Sequence, residues 1–440
     1  VGNINANITR SQTKKGDNVF SGYINGDRVK AGAIANATKY LGDLDLNAGF
    51  KMTFPKKGNV ELALDGKVTK AQVLGNHIDE IVLDGSMKGN RFNGKVTVDD
   101  DDLFLDFNGM IDFQDSKHPK SDFMAVIRDA DLHALHLFKE DSISKISTQI
   151  YVNLNGFNLD DLEGVVHLDS TLYVDSRGQY FMKSFNASLT DDNFMDRRID
   201  MDCDFFTFEM AGKMNFAHIV PTFKDYIDHF VNVPAWDEEL ADFENFKEKC
   251  PGETDQEFVL DLTLKDTRTI SRLVMPSVKI AKNTTLNGNF TSRNYSLGLT
   301  LRSKNVQVGQ VNFNDIELHN RSMRMQSLLS LSLDEILYSN ITDKDTLALG
   351  LENFGISTRM MNDTIFGRIQ WDDDVTEDHN KAMVETYFHP HEQGGVFSFV
   401  SGDVVINDSL WQVTPNSYID FNEGRIALSN IMFSHHDQIA

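Results

Sequence analysis

From residue 44 to residue 54 every even position is apolar: Leu44, Leu46, Ala48, Phe50, Met52 and Phe54. The positions between them are Asp45, Asn47, Gly49, Lys51 and Thr53. Side chains two apart on a β-strand share a face, so the segment reads as a strand with one apolar and one polar face. The period returns at Val60, Leu62 and Leu64, at Leu103, Leu105, Phe107, Ile111 and Phe113, and at Ile150, Val152 and Leu154. It continues at Phe258, Leu260, Leu262 and Leu264, at Leu297, Leu299 and Leu301, and at Leu347, Leu349 and Leu351. Alternation on this scale predicts an all-β chain of antiparallel strands.

Turn formers separate the runs: Asn25-Gly26, Asp65-Gly66, Asp84-Gly85, Asn93-Gly94, Asn155-Gly156 and Glu423-Gly424. Such pairs supply the positive φ angles of tight hairpins. Gly109 and Gly288 fall inside alternating runs, where a bulge or bend is expected instead. Helical spacing is rare. The clearest stretch spans 215–249 in two parts, with Phe216, Ile219, Val220, Phe223, Tyr226, Ile227 and Phe230 in the first. Trp236, Leu240, Phe243 and Phe246 follow Pro234 in the second. Shorter helices are expected at 129–138, 267–275 and 328–337. The organisation that follows is a β segment at 1–214 with a short helix near 129–138, a helical insertion at 215–250, and a continuation of the β segment at 251–440.

At 440 residues the chain exceeds what one compact core organises, which is about 250–300 residues. The formal charge is −24, a field that disfavours nucleic acid. No run approaches the roughly 20 apolar residues of a membrane-spanning helix. The chain opens on Val1 within what reads as a strand, as a piece of a longer protein would. Cys203 and Cys250 are too few for a disulfide framework; they allow either one disulfide or two separate thiols.

Candidate chemistry is sparse. His133 and His136 have a spacing that can place two imidazoles on one metal, but no third ligand accompanies them. His389 with His391, and His435 with His436, lie in polar, turn-like sequence. The acidic runs at 99–102 and 372–374 lack the pattern of a calcium loop. No nucleophile elbow, phosphate loop or dinucleotide fingerprint is present. The expectation is a protein that is not an enzyme and takes no metal or cofactor.

Three architectures satisfy the alternation: stacked β-sandwiches, a transmembrane barrel, or a long curled sheet with an open apolar groove. Period and composition by themselves favour the sandwiches. An open groove needs an apolar ligand, and an acyl chain is the natural one.

Three segments resemble the TamB branch of the AsmA-like family, in its Bacteroidetes-type versions. Residues 130–137 are followed by the strand at 150–154 and by the junction at 156–164. Together these are similar to the family's "ADL..L" helix and "G....DLxG" repeat junction. The strand at 258–264 followed by 280–290 is similar to its strand, short helix and "gt.l.G" return. Residues 407–419 and then 426–431 resemble its "ND..W.i.p.s.i" element. The resemblance implies a long curled antiparallel β-sheet forming a taco-like apolar groove, with the alternating residues named above as its lipid-facing lining. It implies a segment of a periplasm-spanning bridge for outer-membrane biogenesis that holds phospholipid acyl chains between inner and outer membrane. The alternative is a β-sandwich scaffold assisting outer-membrane protein assembly. The implied partners are phospholipid and an Omp85-type outer-membrane barrel protein, the latter contacted through a region outside this sequence, with other periplasmic subunits as further candidates. The implied location is the periplasm, anchored to the inner membrane by an N-terminal helix that this sequence does not contain. The family pattern offers nothing for 215–249, whose role stays open as a lid, a plug or a docking surface.

Overall fold

The computed structural model describes residues 2–34, 38, 41–73, 75–191, 197–341, 346–373, 380–406, 409–415, 417–422, 424–431, 433–435 and 438–439. The fold is nearly all β with a few small helices. Its strands pair antiparallel in one hydrogen-bonded sheet that is not closed into a barrel. The chain divides into two compact units, residues 1–190 with 201–204, and residues 191–200 with 205–440.

The first unit is a meander. Its strands are β1 (Asn3–Gln12), β2 (Asn18–Lys30), β3 (Leu41–Phe54), β4 (Glu61–Val73), β5 (Asn76–Lys88) and β6 (Arg91–Asp100). β7 (Leu103–Asp112), β8 (Lys120–Asp131), β9 (Ser144–Asn155), β10 (Glu163–Asp175) and β11 (Gly178–Asp191) follow, and the one-turn helix α1 (Ala31–Ile34) sits after β2. From β1 to β11 each strand pairs with the next. β12 (Arg197–Cys203) lies at the division between the units.

In the second unit β13 (Phe206–Lys213) is separated from its partner β14 (Glu257–Leu264) by the helices α2 (Ile219–Asp228) and α3 (Asp237–Lys249). Helix α4 (Arg268–Val274) and the short β15 (Val278–Ile280) lead to β16 (Thr284–Thr291), which pairs with β14. The meander resumes through β17 (Ser296–Val308), β18 (Val311–Met323), β19 (Gln326–Ile341), β20 (Thr346–Met361), β21 (Thr364–Asp373), β22 (Asn380–His391) and β23 (Gly394–Ile406). Short strands end the chain: β24 (Ser409–Val413), β25 (Tyr418–Asn422), β26 (Arg425–Ser429), β27 (Phe433–His435) and β28 (Gln438–Ile439).

Several expectations are corrected. Residues 132–137 form a turn, not a helix. The Asp131 carboxylate accepts from the backbone N–H of His133 and Ala134, and His136 takes a φ of 57°, so the coil stops after one turn. Residues 328–337 are strand. There Leu329, Leu331 and Leu333 share one face and outweigh the helical spacing. Gly26, Gly66, Gly85 and Gly94 lie inside strands instead of at hairpin tips. The hairpins instead turn at segments such as 55–60, 89–90 and 101–102. Of the two arrangements open to the cysteines, Cys203 and Cys250 are not joined by a disulfide.

Candidate functional site

Antiparallel register decides whether the apolar faces of separate strands meet. Residues directly opposite each other point to the same side of the sheet. In the first unit one row runs Ile24, Ala48, Gly66, Leu83, Val96, Phe107, Ala125, Ile150, Leu168 and Phe185 across ten strands. The next row runs Gly22, Phe50, Leu64, Gly85, Gly94, Gly109, Phe123, Val152, Val166 and Ala187. The second unit repeats the arrangement with Phe208, Leu262, Leu286, Leu301, Leu318, Leu331, Ile356, Ile369, Val384 and Gly402. Each unit therefore carries one continuous apolar face.

The opposite face is polar and laced with cross-strand ion pairs. Lys95 meets Asp106 at 3.2 Å, Arg302 meets Glu317 at 2.5 Å and Arg368 meets Glu385 at 2.8 Å. These exposed pairs contribute little stability; they mark which side faces water.

Polar residues with positive φ keep the apolar face in phase. Arg28, Glu80, Asp129 and Ser170 adopt φ of 48–58° in β2, β5, β8 and β10. Each sits between two inward positions three apart, such as Ile78 and Ile81, or Ile127 and Ala130. A bulge adds one residue and re-phases the alternation, so apolar side chains stay on the same side. Asp315 and Asn353 do the same in β18 and β20.

The apolar face of the first unit is concave along its glycine row. A Cβ added to Gly94 would stand 2.3 Å from the Cα of Gly85, and one on Gly109 2.4 Å from the Cα of Phe123. Facing Cβ atoms in a flat sheet are roughly 4.5–5.5 Å apart. The backbone therefore closes toward the apolar side at mid-strand, and only glycine leaves room for it. Phe92, Phe107 and Phe123 line the same hollow, with ring centroids 6.1 and 5.1 Å apart in succession.

Most of this face is not covered. Leu62, Leu64, Leu105, Phe107, Ile150 and Leu168 are half-buried, as are Leu262, Leu286, Leu301 and Leu331. Two covered stretches stand out among the described residues: the cluster of Ala382, Val384, Val404 and Val413 on β22, β23 and β24, packed by Trp371, Phe399 and Trp411, and the part beneath the helical insertion. Phe290, four residues from Leu286 on the same face, is 1% exposed, Phe258 is 5% and Ser327 is 0%. Phe223 of α2 stacks on Phe290 at 4.6 Å, and the Tyr226 hydroxyl lies 3.2 Å from that of Ser327. Past α2, Phe230 and Val231 are buried. The ring of His229 stacks on Tyr295 at 3.6 Å, and Asp363 donates its backbone N–H to the Phe230 carbonyl at 3.1 Å. The insertion thus lies over one margin of the second unit's apolar face, along the turns that follow β16, β18 and β20.

Helix α3 backs α2 through Phe246, which packs against His218 at 4.6 Å, and through Lys247, 3.1 Å from Asp225. Burial pushes the Asp225 carboxyl up, against the downward pull of the Lys247 ammonium. The chain leaves the insertion through Asp255, which accepts from Arg293 Nε at 2.8 Å and lies 3.6 Å from Lys213. The Arg293 guanidinium holds the Asp255 carboxyl below its ordinary value.

The sequence-named lining residues Leu44, Leu46, Phe50, Met52, Leu62, Leu64, Leu103, Leu105, Phe107, Ile111, Ile150, Val152 and Leu154 come together on the first unit's apolar face. Phe54, Val60 and Phe113 lie at its margin, exposed. Leu260, Leu262, Leu264, Leu297, Leu299 and Leu301 lie on the second unit's face, while Phe258 is beneath the insertion. Leu351 faces Ile336 across β19 and β20; the side chains of Leu347 and Leu349 lie outside the described residues. The alternation missed the contributions of β5, β6 and β8, among them Ile81, Leu83, Val96, Val98 and Phe123. Glycines and bulges interrupt their period, but apolar residues spaced two and then three apart were the available signal.

His136 bonds Asn76, and His389 Nδ1 bonds the Asp363 carbonyl at 2.7 Å; neither pair of histidines converges on a metal site. No group of three or more metal-ligating side chains occurs among the described residues, and His436 and Asp374 lie outside them. No helix among the described residues is long and apolar enough to cross a membrane. No protein-family model matches this chain, and neither a curated protein nor a solved structure matches it.

Proposed function

We propose that the apolar face is the working surface of this protein and that it holds the acyl chains of phospholipid. In this reading the chain is a segment of a bridge, of the TamB type, that moves lipid across the periplasm between inner and outer membrane. One observation carries the reading: apolar rows ten strands long most of whose large side chains are only half-buried, whereas Phe258 and Phe290 of the same face are fully buried beneath the insertion. A sandwich would bury both inner faces throughout, as the ~10 Å spacing of packed sheets requires. Uncovered apolar area on this scale calls for an apolar ligand.

The energetics fit a passive conduit. Carrying one sixteen-carbon chain bare through water costs on the order of 12 kcal/mol, at about 0.8 kcal/mol per CH₂. A continuous apolar track lowers that barrier without any catalytic group.

The test places photo-crosslinking side chains at Phe50, Leu105 and Leu262 and, on the opposite face, at Asp45, Asp106 and Asp261. Lipid captured only by the first set is the expected result; equal capture by both sets would sink the proposal. Leu105→Asp should abolish lipid capture while leaving the sheet folded, as judged by circular dichroism.

A further inference from the structure

We propose that the strand ends of the first unit form a headgroup rim, which receives the phosphate of a phospholipid whose acyl chains lie on the adjoining apolar face. The proposal rests on the lipid-holding reading above and deepens it by assigning a headgroup chemistry. Successive turns on one side of the sheet follow β1, β3, β5 and β7. They are neighbours in space: the Lys56 backbone N–H bonds the Asp17 carboxylate at 3.2 Å, and the Phe113 N–H bonds the Asn90 carbonyl at 3.0 Å. These turns and the end of β5 carry Lys14, Lys15, Lys56, Lys57, Lys88 and Lys117, all exposed, against the two acids Asp17 and Asp115. Among the described residues none of the six is paired with a carboxylate within 4.0 Å.

The opposite strand ends carry both signs, Arg28, Lys30, Lys70 and Arg128 among them, and their acids concentrate around β5 and β6. Asp99 and Asp100 end β6, Asp101 and Asp102 form the turn that follows, and the Asp79 backbone N–H of β5 donates to the Asp100 carboxylate at 2.8 Å. In a chain of net charge −24 an unpaired cationic rim is a local reversal, and it marks where an anion is favoured. The basic stretch ends at the turn after β9, which holds Asp160 and Asp161.

Apolar side chains lie just inside the lysines. Phe54, Met87 and Phe113 are 38%, 46% and 50% exposed, and the register places Phe54 and Met87 on the apolar face. Passing outward along the strands, the surface changes from concave and apolar to exposed apolar to cationic. That is the order of acyl chain, glycerol ester and phosphate in a phospholipid. A nucleic acid or a soluble phosphate would use the lysines and leave the apolar margin without a role.

The experiment measures binding to the whole chain of pyrene-labelled phosphatidylglycerol and of diacylglycerol with the same acyl chains, with unlabelled glycerol phosphate as competitor. Phosphatidylglycerol should bind about tenfold more tightly than diacylglycerol at low salt, since each lysine near an anionic lipid surface is worth about one such factor at most. Replacing the six lysines by Gln should bring that ratio below about twofold, replacing them by Arg should preserve it, and 1 M salt should erase it. An unchanged ratio in the Gln variant overturns the proposal, as does glycerol phosphate competing as well as the lipid. Equal binding of the two lipids to the unaltered protein overturns the headgroup rim and leaves the lipid-holding reading standing. Failure of both lipids to bind overturns both.

Discussion

Phe290 and Leu286 stand on the same face of β16, one beneath the helical insertion and the other in the open. Truncating them should separate a covered position from an uncovered one. Phe290→Ala should cost about 3–5 kcal/mol, the range for a fully buried phenylalanine, whereas Leu286→Ala should cost well under the ~2–5 kcal/mol of a core leucine. Urea unfolding monitored by circular dichroism measures both, and equal losses would mean that Leu286 is as enclosed as Phe290. Glycines give a second comparison. Gly94→Ala puts a methyl 2.3 Å from backbone and should destabilise by about 1–3 kcal/mol. Gly49→Ala, on the opposite face, meets its nearest atom at 3.5 Å and should be neutral or stabilising by about 0.4–1 kcal/mol. The same glycines show where local reading fell short. An Asp or Asn before Gly is a hairpin signature, and nothing local to Asp84-Gly85 or Asn93-Gly94 says otherwise. Only the partner strands reveal that each glycine faces another across the ladder, in a sheet that bends too tightly for a Cβ.

At the scale of the element, the helical insertion was legible because its two apolar stripes follow helical spacing for ten residues or more. Pro221 falls in the first turn of α2, where its missing N–H is not needed, and Pro234 opens the turn before α3. What the insertion covers was not legible, since its contacts with Phe290, Ser327 and Asp363 span 60 to more than 100 residues of chain. The short segments failed for the opposite reason: at 129–138 and 328–337 a few residues fit both periods, and pairing with neighbouring strands decided the latter. The insertion's exit offers a pH test. The Asp255 carboxyl is held below its ordinary value by Arg293, so it contributes stability above the unfolded-state value of about 3.9. That contribution is lost as pH falls through the folded-state value. Docking of the insertion, followed by Trp236 fluorescence, should weaken below about pH 4 as Asp255 takes up its proton, offset in part by Asp225, whose burial-raised carboxyl favours docking once protonated. Asp255→Asn should loosen docking at neutral pH and remove the Asp255 part of the acid step; an unaltered acid step would show that other carboxylates control it.

At the scale of the whole molecule two opposed tendencies meet in one chain. Each unit leaves a broad apolar face uncovered, which favours association of copies, while a net charge of −24 drives copies apart. The fold class was legible because thirteen named positions of the first unit alternate cleanly, and alternation fixes which side of each strand is apolar. Whether that side is covered depends on what packs against it, and alternation carries no such information. Salt separates the two tendencies, because it shortens the reach of charge repulsion from about 10 Å at 0.1 M to about 3 Å at 1 M and leaves apolar attraction in place. The purified chain should therefore run as a monomer in light scattering at low salt and gain mass as salt is raised. A non-ionic detergent or phospholipid, by occupying the apolar face, should return it to the monomer at the same salt. Leu105→Asp and Leu262→Asp together should blunt the rise, and Asp106→Asn on the polar face should not. A mass that stays constant across the salt range without lipid would mean that the face is closed to large partners. The lipid-holding reading would then need a route by which a single acyl chain still enters.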